Sequence, residues 1–254
     1  MTWKLQKVRD FPKLSRPVLI EGLPGIGNVG KITIDFIVDK LEARKVIDLV
    51  SHSFPPSVYI NEENLVELPS IEIYHKRIKG RDFLFLAGDV QPVNEESSYE
   101  FSETIIDMLK RMGCTEIITM GGIGLPTVPR SPVVFATANS KRILDKYCRS
   151  TSLNPKSYGK IGPIVGVTGL LIGLAERQGI DAIALLAETY GHPMYLGIKG
   201  AREVMKILNK KLSLGLNLSE LNKEIKEIEN EMRKIKGLNR IKGMKEGKEM
   251  EYIG

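Results

Sequence analysis

The residues of this chain whose types and spacing offer chemistry are a glycine-rich turn, three histidines, two cysteines and a few carboxylates that follow apolar runs. The turn, GLPGIGNVGK at residues 22–31, lies between the run VLIE (18–21) and a segment of helical periodicity. It meets two phosphate-binding patterns in part. Gly25, Gly27 and Gly30 have the spacing of a dinucleotide fingerprint; Gly25, Gly30 and Lys31 have that of a P-loop, and Asn28 lies inside both. The chemistry would be backbone N–H groups at a helix start facing a phosphate, with Lys31 adding a positive charge. Neither pattern is complete. Position 32 is Ile where a P-loop needs a Mg²⁺-binding hydroxyl, and Asp48, at the distance of a ribose-binding carboxylate, falls inside an expected strand. Glycines that permit a tight turn and close packing are the competing explanation.

The remaining candidates converge less. His52, His75 and His192 have no triad or metal-ligand spacing, and no GxSxG elbow is present. Asp89, Glu95, Glu96 and Glu188 follow expected strands, where α/β folds bind ligands, but helix capping and loop solvation use the same residues. Cys114 and Cys148 fall on separate elements and are expected to be reduced and buried. No catalytic residue, metal ligand or cofactor is assigned, and an enzyme is not expected.

The elements that must position these residues follow from periodicity. Between residues 17 and 200, short β-rich runs alternate with helical patterns, the signature of a largely parallel sheet covered on both faces. Strands are expected at 17–21, 45–50, 83–87, 116–120, 133–137 and 180–186. Edge hairpins are expected across 65–78, a loop at 121–126, and a strand-turn-helix unit at 164–178. Ser97 with Glu100 has the form of a capping box, and Gly113 marks the end of that helix. A helix with apolar positions 201, 204, 205, 208 and 212 closes a core domain of residues 1–213.

Beyond it, Leu214, Leu218, Leu221, Ile225, Ile228, Met232 and Ile235 alternate spacings of four and three. They form a heptad seam over 214–236 that suits either the chain's own surface or a second copy. Residues 237–254 read as a flexible basic tail.

Charge and hydropathy narrow the partners. Residues 199–254 carry 14 Lys/Arg and 9 Asp/Glu, while residues 1–198 are close to neutral with 23 and 22. The only aromatic residue after Tyr195 is Tyr252, which argues against a specific nucleic-acid surface. The longest uncharged stretch, 161–175, is too short to span a bilayer and contains Pro163. The first sixteen residues are charged throughout and offer no leader-like apolar segment, so no membrane association and a cytoplasmic location are expected.

Taken in order, GLPGIGNVGK (22–31), GDVQP (88–92), GGI (121–123), GVTGLL (166–171) and LLAET (185–189) followed by His192 and Pro193 resemble the proteasome assembly chaperone 2 family in its archaeal form. The resemblance spans about residues 15–230. It implies a three-layer α/β/α sandwich with a mostly parallel sheet and nucleoside-phosphorylase-like topology. It also implies homo-oligomers, and binding to proteasome α-subunits or the α-ring without catalysis, as an assembly chaperone or an ATP-independent activator. Some family members and other proteasome partners end in a hydrophobic residue, a tyrosine and one last residue, which dock between α-subunits. Here the end is Met250, Glu251, Tyr252, Ile253 and Gly254, so the tyrosine stands one place early, a shift of up to about 3.5 Å. Met250, Tyr252, Ile253 and Gly254 are accordingly the candidate docking residues. The competing function is a nucleotide- or nucleoside-binding enzyme built on the 22–31 turn.

Overall fold

In the computed structural model, residues 3–10, 13–217 and 219 are described. The chain divides into a body, residues 1–216, and a second unit, residues 217–254. The expected seam residues Leu218, Leu221, Ile225, Ile228, Met232 and Ile235 lie outside the described residues, as does the whole tail.

The body is built on a sheet of eight strands. The most apolar runs form its centre: β2 (Val18–Glu21), β7 (Arg81–Gly88), β8 (Glu116–Leu125) and β10 (Asp181–Tyr190). These four are mutually parallel in the order β7-β2-β8-β10. Buried on both faces, such strands need continuous apolar sequence, which is why VLIE and FLFLA are legible as strands. The flanks are antiparallel. On one side β6 (Ile71–Ile78) pairs with β7, β3 (Arg44–Val50) with β6, and β1 (Lys4–Lys7) with β3; on the other, β9 (Val134–Ala138) pairs with β10. The parallel arrangement expected of most of the sheet is thus confined to its centre, and the expected α/β/α layering is present. A separate hairpin joins β4 (Tyr59–Ile60) and β5 (Val66–Glu67). Of the hairpins expected at a sheet edge, only this one stands apart, because β6 lies inside the sheet and the edge belongs to β1.

Five helices cover the faces. α2 (Glu95–Arg111) and α4 (Val167–Arg177) pack together over Leu19, Leu84, Ile117, Ala184 and Leu186, burying Phe101, Ile105 and Leu171. α1 (Val29–Lys40) and α5 (Ile198–Leu212) pack together on the other face. α3 (Lys141–Cys148) lies against β9 and β10, where the Lys211 ammonium of α5 donates to the carbonyls of Lys146 and Arg149.

Four local expectations are corrected. Residues 121–125, read as a loop, form the second half of β8, in register with residues 186–190 of β10. Their glycines satisfy a steric demand: a Cβ on Gly122 would lie 2.1 Å from the Ile26 carbonyl oxygen. The strand expected ahead of α4 is absent, and residues 161–165 run as irregular chain. The α2 capping box is made by Asn94, whose side chain accepts from the Ser97 N–H at 2.9 Å, so the helix begins at Glu95. At the C-terminal end, Leu214 and Leu216 are buried, and the Asn209 side chain bonds both backbone groups of Leu216. The compact body therefore ends later than residue 213.

Strand β1 was not legible. Trp3 explains its place: the ring is buried edge-on between Phe54 and Phe101, and its indole N–H donates to the Ser97 carbonyl at 3.1 Å.

Candidate functional site

The strand order reverses direction between β2, whose connections lead toward β3, and β8, whose connections lead toward β10; open α/β sheets bind ligands outside the carboxyl ends of strands at such a point. The glycine turn leaves β2 there. A single 3-10 turn over Ile26–Asn28 feeds α1, and Gly27 takes φ of +62°, which favours glycine. A Cβ on Gly27 would also meet the Thr189 hydroxyl at 2.6 Å, and the Gly27 carbonyl accepts from the Gly197 N–H at 2.7 Å. Three residues on, a Cβ on Gly30 would lie 2.7 Å from the Met120 carbonyl oxygen. The spacing of Gly27 and Gly30 is therefore required by helix α1 seating directly on β8 and β10. Gly25 is exposed, and Asn28 stands in the left-handed region at the head of α1 without a side-chain cap.

Lys31 does not face open solvent as a free cation. Its ammonium lies 3.1 Å from Asp35 and 3.3 Å from Asp89 and donates to the Gly88 carbonyl. Burial pulls the lysine pKa down, but the two carboxylates outweigh it and hold the pKa above its ordinary value. Burial raises Asp35, whereas Asp89, although burial opposes it, is held low by Ser70 and Lys31. A lysine between two carboxylates forms a cluster of net charge −1, an arrangement opposed to gathering phosphate.

The other candidates are dispersed. Glu188 lies within β10 and accepts from the Val133 N–H at 2.9 Å. Glu95 and Glu96 occupy the first turn of α2, where the helix dipole favours acids. His75 Nε2 lies 2.9 Å from buried Asp82, His192 stacks on Tyr190, and His52 is exposed. Cys114 is buried, its thiol pushed up to about 11 by burial, and Cys148 is half-buried. Among the described residues no three His, Cys, Asp or Glu side chains are placed to hold a metal ion, and no helix is long and apolar enough to cross a membrane. The docking candidates Met250, Tyr252, Ile253 and Gly254 lie outside the described residues.

Sequence reasoning missed the most perturbed carboxyl of this region. Glu21, the last residue of β2, is fully buried beneath the reversal point. It accepts from the Leu23 N–H at 2.8 Å, from the Met120 N–H and, at 3.4 Å, from the Thr168 hydroxyl. Burial pushes its pKa from the ordinary 4.5 up to about 7, against those three donors. Its partner in the β8 register, Thr119, has a buried hydroxyl with no hydrogen-bond partner among the described residues. The available signal was a lone charge closing an otherwise apolar strand.

Comparison with known proteins agrees with this architecture. The chain is 30% identical to PbaB of Pyrococcus furiosus, described as an archaeal proteasome activator, with a TM-score of 0.83 over 93% of this chain and 100% of that one. PbaA of the same organism, an archaeal homolog of proteasome-assembly chaperone, shares the fold at 24% identity, with a TM-score of 0.76 over 95% of each chain. An uncharacterized protein of Methanocaldococcus jannaschii, MJ1210, is 29% identical over 231 residues, 91% of this chain and 87% of that protein. Residues 19–236 match the model of the PAC2 family, and the chain belongs to that family.

Proposed function

We propose that this protein is a non-enzymatic, homo-oligomeric partner of the proteasome, binding α-subunits or the assembled α-ring as an assembly chaperone or an ATP-independent activator in the cytoplasm. The observation that carries this reading is the likeness to the activator PbaB, which extends over the whole of that chain at 30% identity. The site chemistry supports it. Lys31 is engaged by Asp35 and Asp89, and the histidines do not converge on one point. In a phosphate reading of the 22–31 turn the lysine of the motif is already engaged, and packing accounts for the spacing of Gly27 and Gly30.

In this proposal the contact is made by the chain end, Met250, Tyr252, Ile253 and Gly254, and the heptad residues 218–235 join copies of the chain. Several ends on one oligomer would bind the several inter-subunit clefts of a ring with avidity. The test is biolayer interferometry of immobilised archaeal α-rings against the full chain and a variant lacking residues 252–254, with light scattering of each. The expected result is loss of binding with an unchanged oligomer. Equal affinity of both proteins would refute the docking role of the chain end.

A further inference from the structure

Beside Thr168, the hydrogen-bond partner of Glu21, lies a half-open pocket of about 280 Å³ bordered by the residues that follow β2, the second half of β8, the irregular chain 161–165 and the start of α4. From its lining we infer that it is a binding site for a small, uncharged and mainly apolar molecule, one that carries its polar group at one end. This goes beyond the proposed binding of proteasome subunits and does not depend on it.

The volume is the first argument. The space is a pocket open to solvent at its exposed rim, and its volume exceeds what a few waters need. An engineered apolar cavity of about 150 Å³ in another protein takes up benzene, so this one has room for a two-ring molecule.

The lining gives the chemistry. Leu23, Ile26, Ile123, Ile164, Val165 and Leu186 supply apolar wall, and among the described residues no charged side chain borders the space. Gln91 is held as a strut: one amide N–H donates to the Pro24 carbonyl and its oxygen accepts from the Val167 N–H at 3.2 Å. Thr168 is the other polar side chain of the lining, and its hydroxyl sits at the long distance of 3.4 Å from Glu21, so turning toward a ligand gives up little.

Period-two alternation puts Thr119 on the same sheet face as Gly121 and Ile123, next to Glu21 in register. Neither Thr119 nor Glu21 borders the space; Thr168 is the lining residue that connects it to these buried polar groups, so its hydroxyl marks the polar end of an otherwise apolar wall. An anion brought here would lose its hydration without meeting a cationic side chain in the lining, and a cation would lose its own without meeting an acidic one. Two rim residues, Ile26 at 52% and Val165 at 84% exposure, leave apolar surface in water that an occupant would cover.

The test uses the full-length protein and indole as the probe. Methyl resonances of Leu23, Ile26, Ile123, Ile164, Val165 and Leu186 are followed by NMR during titration. The inference expects saturable one-to-one shifts at these methyls, and no comparable shifts with inorganic phosphate or AMP. Two substitutions, Ile123→Trp from the wall and Val165→Trp from the exposed rim, are expected to weaken indole at least tenfold while each melts as a cooperative fold. If Ile123→Trp does not fold, the rim variant and the wild-type titration still decide. Absence of saturable shifts in the wild type would overturn the inference. So would unchanged affinity in a folded rim variant, or shifts at these methyls with phosphate or AMP instead of indole.

Discussion

Glu21→Gln is expected to stabilise the protein at pH 8 and to remove most of a fall in stability between pH 5 and 8. The unfolded chain ionises Glu21 near 4.5, whereas in the folded chain burial holds the proton on until about 7. Between these values the folded state binds the extra proton, so stability falls as pH rises. The stabilisation from protonated Glu21 is complete below the unfolded value and is gone once pH has passed the folded value. At about 1.36 kcal/mol per pH unit, the interval corresponds to about 3 kcal/mol, or roughly 6–12 °C in Tm for a domain of this size.

Glutamine keeps the shape. Its oxygen meets the Leu23 N–H, and its amide meets the Thr168 hydroxyl, which rotates to accept. The assay is urea unfolding of both proteins at half-unit steps from pH 5 to 8, read as the difference between them so that other titrating groups cancel. The two curves should converge at pH 5, apart from any constant offset of the amide, and diverge toward pH 8 with glutamine the more stable. Parallel curves over the whole range would show that Glu21 ionises in the fold as it does in water, and the reasoning from burial would fail.

Gly30→Ala should destabilise by about 2 kcal/mol in urea unfolding, because its Cβ would sit 2.7 Å from the Met120 carbonyl and would push α1 off the sheet. Trp3→Ala should cost about 3 kcal/mol by the same measurement, since the indole fills the space between Phe54 and Phe101. Asp82→Asn should lower Tm at pH 7, with the deficit shrinking toward pH 3. Although burial opposes it, the carboxyl is held well below the usual range by Arg77, the Ser15 N–H and His75, so its contribution is present above about 3.8 and is lost as pH falls. Lys31→Ala should leave any response of Tm to added AMP unchanged, because its ammonium is already held by Asp35 and Asp89; a nucleotide shift that vanishes in this variant would restore the phosphate reading.

The central strands were legible because burial on both faces leaves its mark within four to eight consecutive residues, as in VLIE and FLFLA. What escaped depends on contacts between distant parts of the chain. Nothing near residues 121–125 indicates that a carbonyl from Ile26 lies against Gly122 and turns apparent loop glycines into strand. Strand β1 is a short KLQK whose place is set by Trp3 reaching Phe54 and Phe101. The turn at 22–31 was located correctly, but its chemistry was decided 58 positions away, where Asp89 joins Asp35 around Lys31. The pocket beside Thr168 is assembled from five separated stretches, each touching one of the short motifs at 22–31, 88–92, 121–123, 166–171 and 185–189, but nothing in any one of them shows that the five meet around one space. Family membership was readable for the opposite reason: an ordered set of short glycine motifs survives along the chain even though each one alone is common.

The most direct test of the central claim is native mass spectrometry of the full-length protein mixed with archaeal proteasome α-subunits. The account predicts a defined oligomer of this chain in stable complex with α-subunits or an α-ring. An oligomer that remains free at micromolar concentrations of both proteins would contradict it.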